Sequence, residues 1–331
     1  MKQKHVNIPI FFPQRSCPHQ CVFCNQQHIS SRVHIPSTKE ITHSIEQYLH
    51  TIPPETEVQI AFFGGTFTAM PLSEQEEYLQ LVQPYIRSGR VQSIRISTRP
   101  DYIDNETLAL LKHYSVLDIE LGAQSTNDEV LRQSGRGHTQ ADIVNAATLI
   151  RRAGFRLGLQ MMIGLPGDSA QRALHTAQTI CDLGAHSTRI YPTLVVAHTP
   201  LAELWRKELY TPLSLEDALA WTAPVYQNFE QRGVQVLRVG LHPSSDLSNG
   251  ALLAGPYHSS FKELLLSYVW LHIFKTNVQK SYETIHIEVA PAQLNFAIGH
   301  GGSNRKFLQT IAKHVVITAH AELSGYEFRM C

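Results

Sequence analysis

Along the first 240 positions, short runs rich in β-branched and aromatic residues alternate with longer stretches whose apolar residues recur every three or four places. The runs read as strands and the stretches as amphipathic helices. Their alternation is the βαβ pattern of a parallel sheet. Strands are predicted at Val6–Phe12, Val58–Phe63, Ser93–Ser97, Leu117–Leu121, Arg156–Met162 and Thr188–Tyr191. Ser37 with Glu40, and Ser73 with Glu76, read as capping boxes for helices reaching about His50 and Ile86. Further helices are expected from Asp104, over Asp142–Arg152 and over Ser169–Leu183. Six strand–helix repeats predict a partial (β/α)6 TIM-type barrel, in which chemistry gathers at the C-terminal strand ends.

Beyond the sixth strand the pattern changes. A short helix is expected around Trp205, a longer one from Ser214 to near Gly233, and a strand over Val234–Val239. These close a core of residues 1–240. A helical connector, 241–280, contains a buried helix at Phe261–Phe274, and residues 281–331 form a small α+β unit. That unit reads as a strand at Thr284–Val289, then a helix over Pro291–Ile298 with proline in its first turn. The glycine run Gly299-His300-Gly301-Gly302 follows, then a helix through Arg305, Lys306 and Leu308, and a strand at Val315–Thr318.

Composition narrows the function classes. The 331 residues are 43% hydrophobic and 17% charged, an ordinary globular balance. Lys+Arg and Asp+Glu both number 28, so no global field draws the chain to polyanions or to membranes. Met1 to Asn7 are polar and the apolar Ile8–Phe12 is too short for a signal peptide. Leu264–Phe274 is far too short to span a bilayer. Five cysteines, three of them clustered, suit a reducing cytoplasm, with Cys181 a buried thiol and Cys331 a tail residue.

The cluster is Cys17, Cys21 and Cys24, in the run Cys-Pro-His-Gln-Cys-Val-Phe-Cys. Loops this short fit disulfide geometry poorly. Three thiolates are one short of the four that close an iron–sulfur cluster or a structural zinc site. A four-iron cube held by three cysteines keeps one iron open for a substrate or cofactor. The alternative is a Cys3His zinc site completed by His19 or His28.

The spacing Cys-x3-Cys-x2-Cys, with Phe23 before the last cysteine, resembles the signature of the radical S-adenosylmethionine (SAM) enzymes. The resemblance implies a 4Fe–4S cluster whose open iron chelates the amino and carboxylate groups of S-adenosylmethionine. It also implies an electron donor of flavodoxin or ferredoxin type. In that family the turn matching Gly64-Gly65-Thr66 receives the amino group; many members carry an acidic residue where this chain has Thr66. Gln124 would reach ribose hydroxyls or the methionine carboxylate, and Arg136 would grip that carboxylate. Met162 and Gly164 would floor the adenine, with Phe23 opposite. Each has an ordinary alternative: a glycine turn, a capping glutamine, a solvent-exposed arginine, a core methionine.

A narrower resemblance rests on Phe63–Thr68, Thr98–Asp101, Glu120–Ser125 and Ile190–Val195, with Thr199, the Leu-x-x-Leu-Trp run and Tyr210. These blocks look like the catalytic subunit of the tRNA-modifying Elongator complex, over about residues 6–240. The cysteine spacing is instead the commoner superfamily form, shared with oxygen-independent coproporphyrinogen oxidases; these also share the Gly164-Leu165-Pro166 turn, and resemblance to their pattern is what nominates Gln124 and Arg136. Their acidic residue on strand three falls near Thr98, which weakens a porphyrin reading. The chain ends where the Elongator subunit continues into its acetyltransferase half, so acetyl-CoA chemistry is not carried over.

The order of elements around Gly299, Gly301 and Gly302 resembles a KH-type RNA-binding fold, with Arg305 and Lys306 beside the loop. The expectation is therefore a cytoplasmic enzyme that cleaves S-adenosylmethionine reductively to a 5′-deoxyadenosyl radical and modifies RNA, with tRNA first. A radical enzyme acting on a tetrapyrrole or free base, and a zinc-containing RNA-binding protein, are the alternatives.

Overall fold

The computed structural model describes residues 5–13, 15–18, 20–25, 34–241, 250–278 and 282–330. His19, His28 and Cys331 lie outside them. The strands of the larger body are β1 (His5–Phe12), β2 (Glu57–Gly64), β3 (Ser93–Thr98), β4 (Val116–Gln124), β5 (Arg156–Ile163) and β6 (Ser187–Pro192). Three more follow: the two-residue β7 (Val195–Val196), β8 (Gln235–Val239) and β9 (Leu252–Ala254). All pairs in the main sheet are parallel, in the order β1-β2-β3-β4-β5-β6-β8. The partial barrel is as expected, with β8 added as a seventh parallel strand beside β6. Parallel strands need crossover helices, and these cover the outer face.

Residue parity assigns the two faces of the sheet. Ile60, Ile94, Ile96, Ile119, Leu121, Leu157, Leu159 and Ile190 are all 0% exposed and belong to one continuous core. Many of the alternate residues on the other face are polar, and these meet in one buried network. Glu120 accepts from Arg95 Nη1 (2.6 Å), Arg189 Nε (2.9 Å) and Gln160 Nε2 (2.8 Å). Asp118 accepts from Gln59 (2.7 Å) and Arg156 (2.8 Å) and pairs with Arg95 (3.1 Å). Gly158 on β5 makes room for this. A Cβ there would stand 2.9 Å from Glu120 Cγ and 3.1 Å from Ser187 Oγ.

The helices begin where local chemistry allows. Ser37 and Glu40 form the expected capping box for Thr38–Thr51. The second expected box does not form. That helix, Leu72–Arg87, starts one residue earlier than Ser73, after Pro71 and without a side-chain cap. The Pro71 carbonyl takes the Glu74 and Gln75 amides (2.9 and 3.0 Å), and Glu76 instead accepts from the Tyr114 hydroxyl at 2.6 Å. A box at Thr139 and Asp142, which periodicity does not reveal, opens Gln140–Arg152. A further short helix, Asp128–Gln133, lies between β4 and that helix.

The C-terminal unit contains β10 (Tyr282–Val289), β11 (Ala312–Ala319) and β12 (Phe328–Met330). β10 pairs with β11 in parallel and with β12 antiparallel. Between β10 and β11 lie the short helices Leu294–Ile298 and Ser303–Leu308, joined by the glycine run. The connector helix Phe261–Asn277 serves both bodies. Phe261, Leu265, Leu266 and Val269 pack into the barrel core, while Trp270 and Phe274 fill the C-terminal core. No helix among the described residues is long and apolar enough to cross a membrane.

Candidate active site

The turn after β2 and the loop after β1 are built against each other. Gly65 N–H donates to the Phe12 carbonyl (2.6 Å) and Thr66 N–H to the Arg15 carbonyl (2.9 Å). Any Cβ on Gly65 would stand 2.6 Å from the Arg15 nitrogen and closer still to its carbonyl oxygen. The glycine is therefore required by close passage of the cysteine loop, whatever else it contacts. Across this junction the Thr66 hydroxyl lies 3.4 Å from Cys17 Sγ.

The loop and the strand ends enclose one cavity of about 430 Å³. Cys17, Cys21 and Cys24 form one side of it, with Phe23. Gly64, Gly65, Thr66 and Thr98 form another, and Gln124 and Arg136 a third. Ten residues singled out from sequence thus share one lining. Among the described residues, no three His, Cys, Asp or Glu side chains converge closely enough to hold a metal. The three thiols share a wall without meeting at a point.

Arg136 is buried and heavily used. Its Nη1 donates to Cys21 Sγ at 3.0 Å and its Nη2 to the Gly122 carbonyl, while its Nε has no partner. Arg99 Nη2 donates to the Arg136 carbonyl, and Arg99 makes a bidentate pair with Asp101 (2.9 and 2.8 Å). Gln124 ends β4 with φ +67°, a left-handed conformation that is costly for a residue with a Cβ. Its buried Oε1 accepts no hydrogen bond. Thr98 is engaged already, its hydroxyl 2.6 Å from that of Thr68.

Two expected residues stand apart. Met162 and Gly164 are outside the cavity lining. Gly164 turns away after β5 with φ +73°, its carbonyl held by the Tyr210 hydroxyl (2.6 Å) and its N–H by Asp168 (2.9 Å). Met162 lies half-buried on the inner face of β5, two residues beyond Gln160. Gln160 lines the cavity instead, as do Arg99 and Gly122. Period-two counting from Met162 reaches Gln160, and Arg99 sits inside the quoted Thr98–Asp101 block, so both carried a readable signal.

Electrostatics around the cavity follow from burial. Burial opposes ionisation of Glu120, yet Arg189 and Arg95 beside it hold its carboxyl below the usual range. His138 is pushed down to about 3 by burial and then by Arg136 and Arg99.

The glycine run lies at the mouth end of the β8 edge. His300 stacks edge-on against His258, with ring centroids 5.5 Å apart. His258 shares a small crevice with Pro192, Leu194 and Gly240, at the C-terminal ends of β6 and β8. The His300 N–H donates to Ser267 Oγ (3.0 Å), which ties the run to the connector helix. Nothing lies within 4 Å of where a Cβ would stand on Gly301 or Gly302.

Comparison with known proteins gives the lineage. The chain is 22% identical over 320 residues to the tRNA uridine(34) acetyltransferase of Methanocaldococcus jannaschii, covering 85% of this chain and 58% of that protein. It is 25% identical over 260 residues to Elongator complex protein 3 of Homo sapiens, covering 72% and 45%. To the heme chaperone HemW of Bacillus subtilis it is 27% identical over 230 residues, covering 66% and 57%. The chain therefore spans less than two thirds of each of these relatives. The solved structure of Methanocaldococcus infernus Elp3 superposes with a TM-score of 0.65 at 19% identity, covering 84% of this chain and 65% of that one, and shares the fold. The radical SAM C-terminal domain model matches residues 185–270. With the radical SAM superfamily model matching residues 11–180, this chain belongs to that superfamily and is one of its enzymes.

Proposed function

We propose that this enzyme holds a 4Fe–4S cluster on Cys17, Cys21 and Cys24, binds S-adenosylmethionine in the 430 Å³ cavity, and modifies RNA, tRNA foremost. The observation that carries the reading is the shared lining: three thiols, a glycine turn, an unpartnered buried amide oxygen and a buried guanidinium meet around one space. The donor set fits the group. Three thiolates leave one iron open, and Gln124 Oε1 and Arg136 Nε are polar atoms that a polar ligand would satisfy.

When bound, the cluster supplies the electron that splits S-adenosylmethionine into methionine and a 5′-deoxyadenosyl radical. The chain's own residues bind and orient. Backbone groups of Gly64 and Gly65, with the Thr66 hydroxyl, offer acceptors for an ammonium group. Gln124 Oε1 accepts from a ribose hydroxyl. Arg99 and Arg136 place two positive charges at the side where a carboxylate would sit. Phe23, beside the cysteines, gives the cavity an apolar lining residue.

Two relatives whose names concern tRNA or Elongator support RNA as the substrate. So does the glycine run, which stands at the mouth end with open space over Gly301 and Gly302 and exposed Arg305 and Lys306 beside it. A reducing cytoplasm and a flavodoxin- or ferredoxin-type donor suit this chemistry.

The test is anaerobic reconstitution with iron and sulfide, reduction, and incubation with S-adenosylmethionine and bulk tRNA. Deoxyadenosine should form, and one tRNA nucleoside should change mass. Replacing Cys17, Cys21 or Cys24 with Ala should abolish deoxyadenosine. The Gly301→Asp/Gly302→Asp pair should keep cofactor cleavage while losing tRNA binding. Cleavage with unchanged tRNA would move the substrate to a small molecule; no cleavage and bound zinc would overturn the reading.

A further inference from the structure

Cofactor chemistry does not account for how the cysteine loop is held from residue 195 onward. Val22, between Cys21 and Cys24, uses both of its backbone groups. Its N–H donates to the Ser134 carbonyl (3.1 Å), and its carbonyl accepts from Leu201 N–H (2.8 Å). Leu201 is the second residue of the helix Pro200–Arg206, where first-turn amides have no partner inside the helix. That spare donor is spent on the cysteine loop. Thr199 fixes the helix start: its hydroxyl accepts from Ala202 N–H (3.1 Å) and donates to the Val196 carbonyl (2.7 Å). Asn25, one residue past Cys24, donates to the Ala197 carbonyl (3.3 Å).

Side chains repeat the grip. Val22 and Phe23 pack on buried Val195, Leu201, Ala202 and Tyr210. The far end of the segment is anchored to the sheet, where the Tyr210 hydroxyl donates to the Gly164 carbonyl after β5. Its near end, Val195–Val196, pairs with Leu252–Ala254. Thr199, Leu201 and Tyr210 are among the residues of the Elongator-like blocks that do not line the cavity.

We propose that residues 195–210 form a clasp that holds the cysteine loop in place beside the cavity, with Thr199 as its positioning residue. Its benefit to the cluster rests on the function proposed above; its test does not. The clasp acts on the loop of the cluster-free protein, where Cys21 is 6% exposed.

The experiment compares wild type, Thr199→Val and Thr199→Ser as reduced, metal-free full-length protein. Alkylation of Cys21 by iodoacetamide is timed by peptide mass, and hydrogen exchange is followed at the Val22 and Leu201 amides. Loss of the cap should make Thr199→Val alkylate Cys21 roughly tenfold faster and exchange Leu201 faster. Thr199→Ser should restore both. Cys181, buried elsewhere beside Asn228, should keep its rate. After reconstitution, Thr199→Val should release iron to a chelator faster in the same proportion. A wild-type alkylation rate in Thr199→Val, or an equal rise at Cys181, would overturn the clasp. If wild type takes up no iron, the function proposed above fails, while the alkylation comparison still decides the clasp.

Discussion

Arg136 and Cys21 are joined directly: Nη1 of the arginine donates to the cysteine sulfur at 3.0 Å. The same guanidinium reaches the Gly122 carbonyl, so it bridges the cysteine loop to the end of β4. The proposed function sets Arg136 on a carboxylate, and the structure shows this second contact. If Cys21 holds the proposed cluster, a hydrogen bond to its sulfur would steady the ligand and tune the metal.

Arg136→Lys should separate geometry from charge. Lysine keeps the positive charge but cannot make two spread contacts with one planar group. Iron retention and deoxyadenosine formation should both fall about 10–100-fold, with little change in thermal midpoint. Iron content and product are measured side by side; a lysine variant equal to wild type in both would remove the bridge from the account.

Gly65→Ala should damage the site through the backbone. Its new methyl would press on the Arg15 backbone, and the chain on both sides of that contact is held by the Gly65 and Thr66 amides. Overpacking of this kind costs about 1–3 kcal/mol, and a clash with backbone sits at the upper end. Gly89→Ala is the control: its φ is +74°, yet nothing lies within 4 Å of its Cβ position. Denaturant unfolding should show Gly65→Ala as the more damaged, and it alone should lose cluster uptake.

The contrast between these residues marks what the chain discloses before folding. Strand–helix alternation and caps such as Ser37–Glu40 depend on neighbours in sequence, and they were readable. So was the gathering of the cysteines, Gly65, Thr98 and Gln124, because strand ends in a parallel barrel converge; Arg136, which follows a helix, came from family resemblance alone. Partners distant in sequence were not readable. Glu76 serves Tyr114 rather than a helix cap, and Gly158 is small because Glu120 crosses it. The polar inner face was hidden for a related reason: Arg95, Glu120 and Arg189 look like surface residues until three strands bring them together.

Glu120→Gln tests that inner face. The carboxylate is 1% exposed and holds two arginines and Gln160. Removing one member of a buried ionic group leaves the others charged and uncompensated, at a cost of about 3–5 kcal/mol. The denaturation midpoint should fall accordingly. Gln160, which shares its Glu120 oxygen acceptor with Arg189, should also be held less firmly in the cavity lining, weakening S-adenosylmethionine binding by calorimetry. A midpoint within error of wild type would mean that the network is not a source of stability.

His138 sets an acid limit on the fold. Its ring is 3% exposed, with Nε2 3.3 Å from the Ala123 carbonyl and Nδ1 unpartnered. Burial first, then Arg136 and Arg99, hold its pKa at about 3 against an ordinary 6.5, with Asp101 pulling weakly the other way. The folded state therefore keeps the ring neutral while the unfolded chain protonates it below 6.5. The resulting stability is present above that pH and is lost as pH falls toward 3, by about 2 kcal/mol between pH 7 and pH 5. Asp168 works in the opposite sense: burial raises it to about 6, so the fold favours its protonated form and loses stability as pH rises from 3.8 to 6. The wild-type curve sums the two, so the comparison must be with a variant. His138→Gln preserves a donor for Ala123 and cannot take the proton. Its stability should fall less than that of wild type between pH 7 and pH 5, by that same amount; parallel curves would show that His138 is protonated as readily in the fold as outside it.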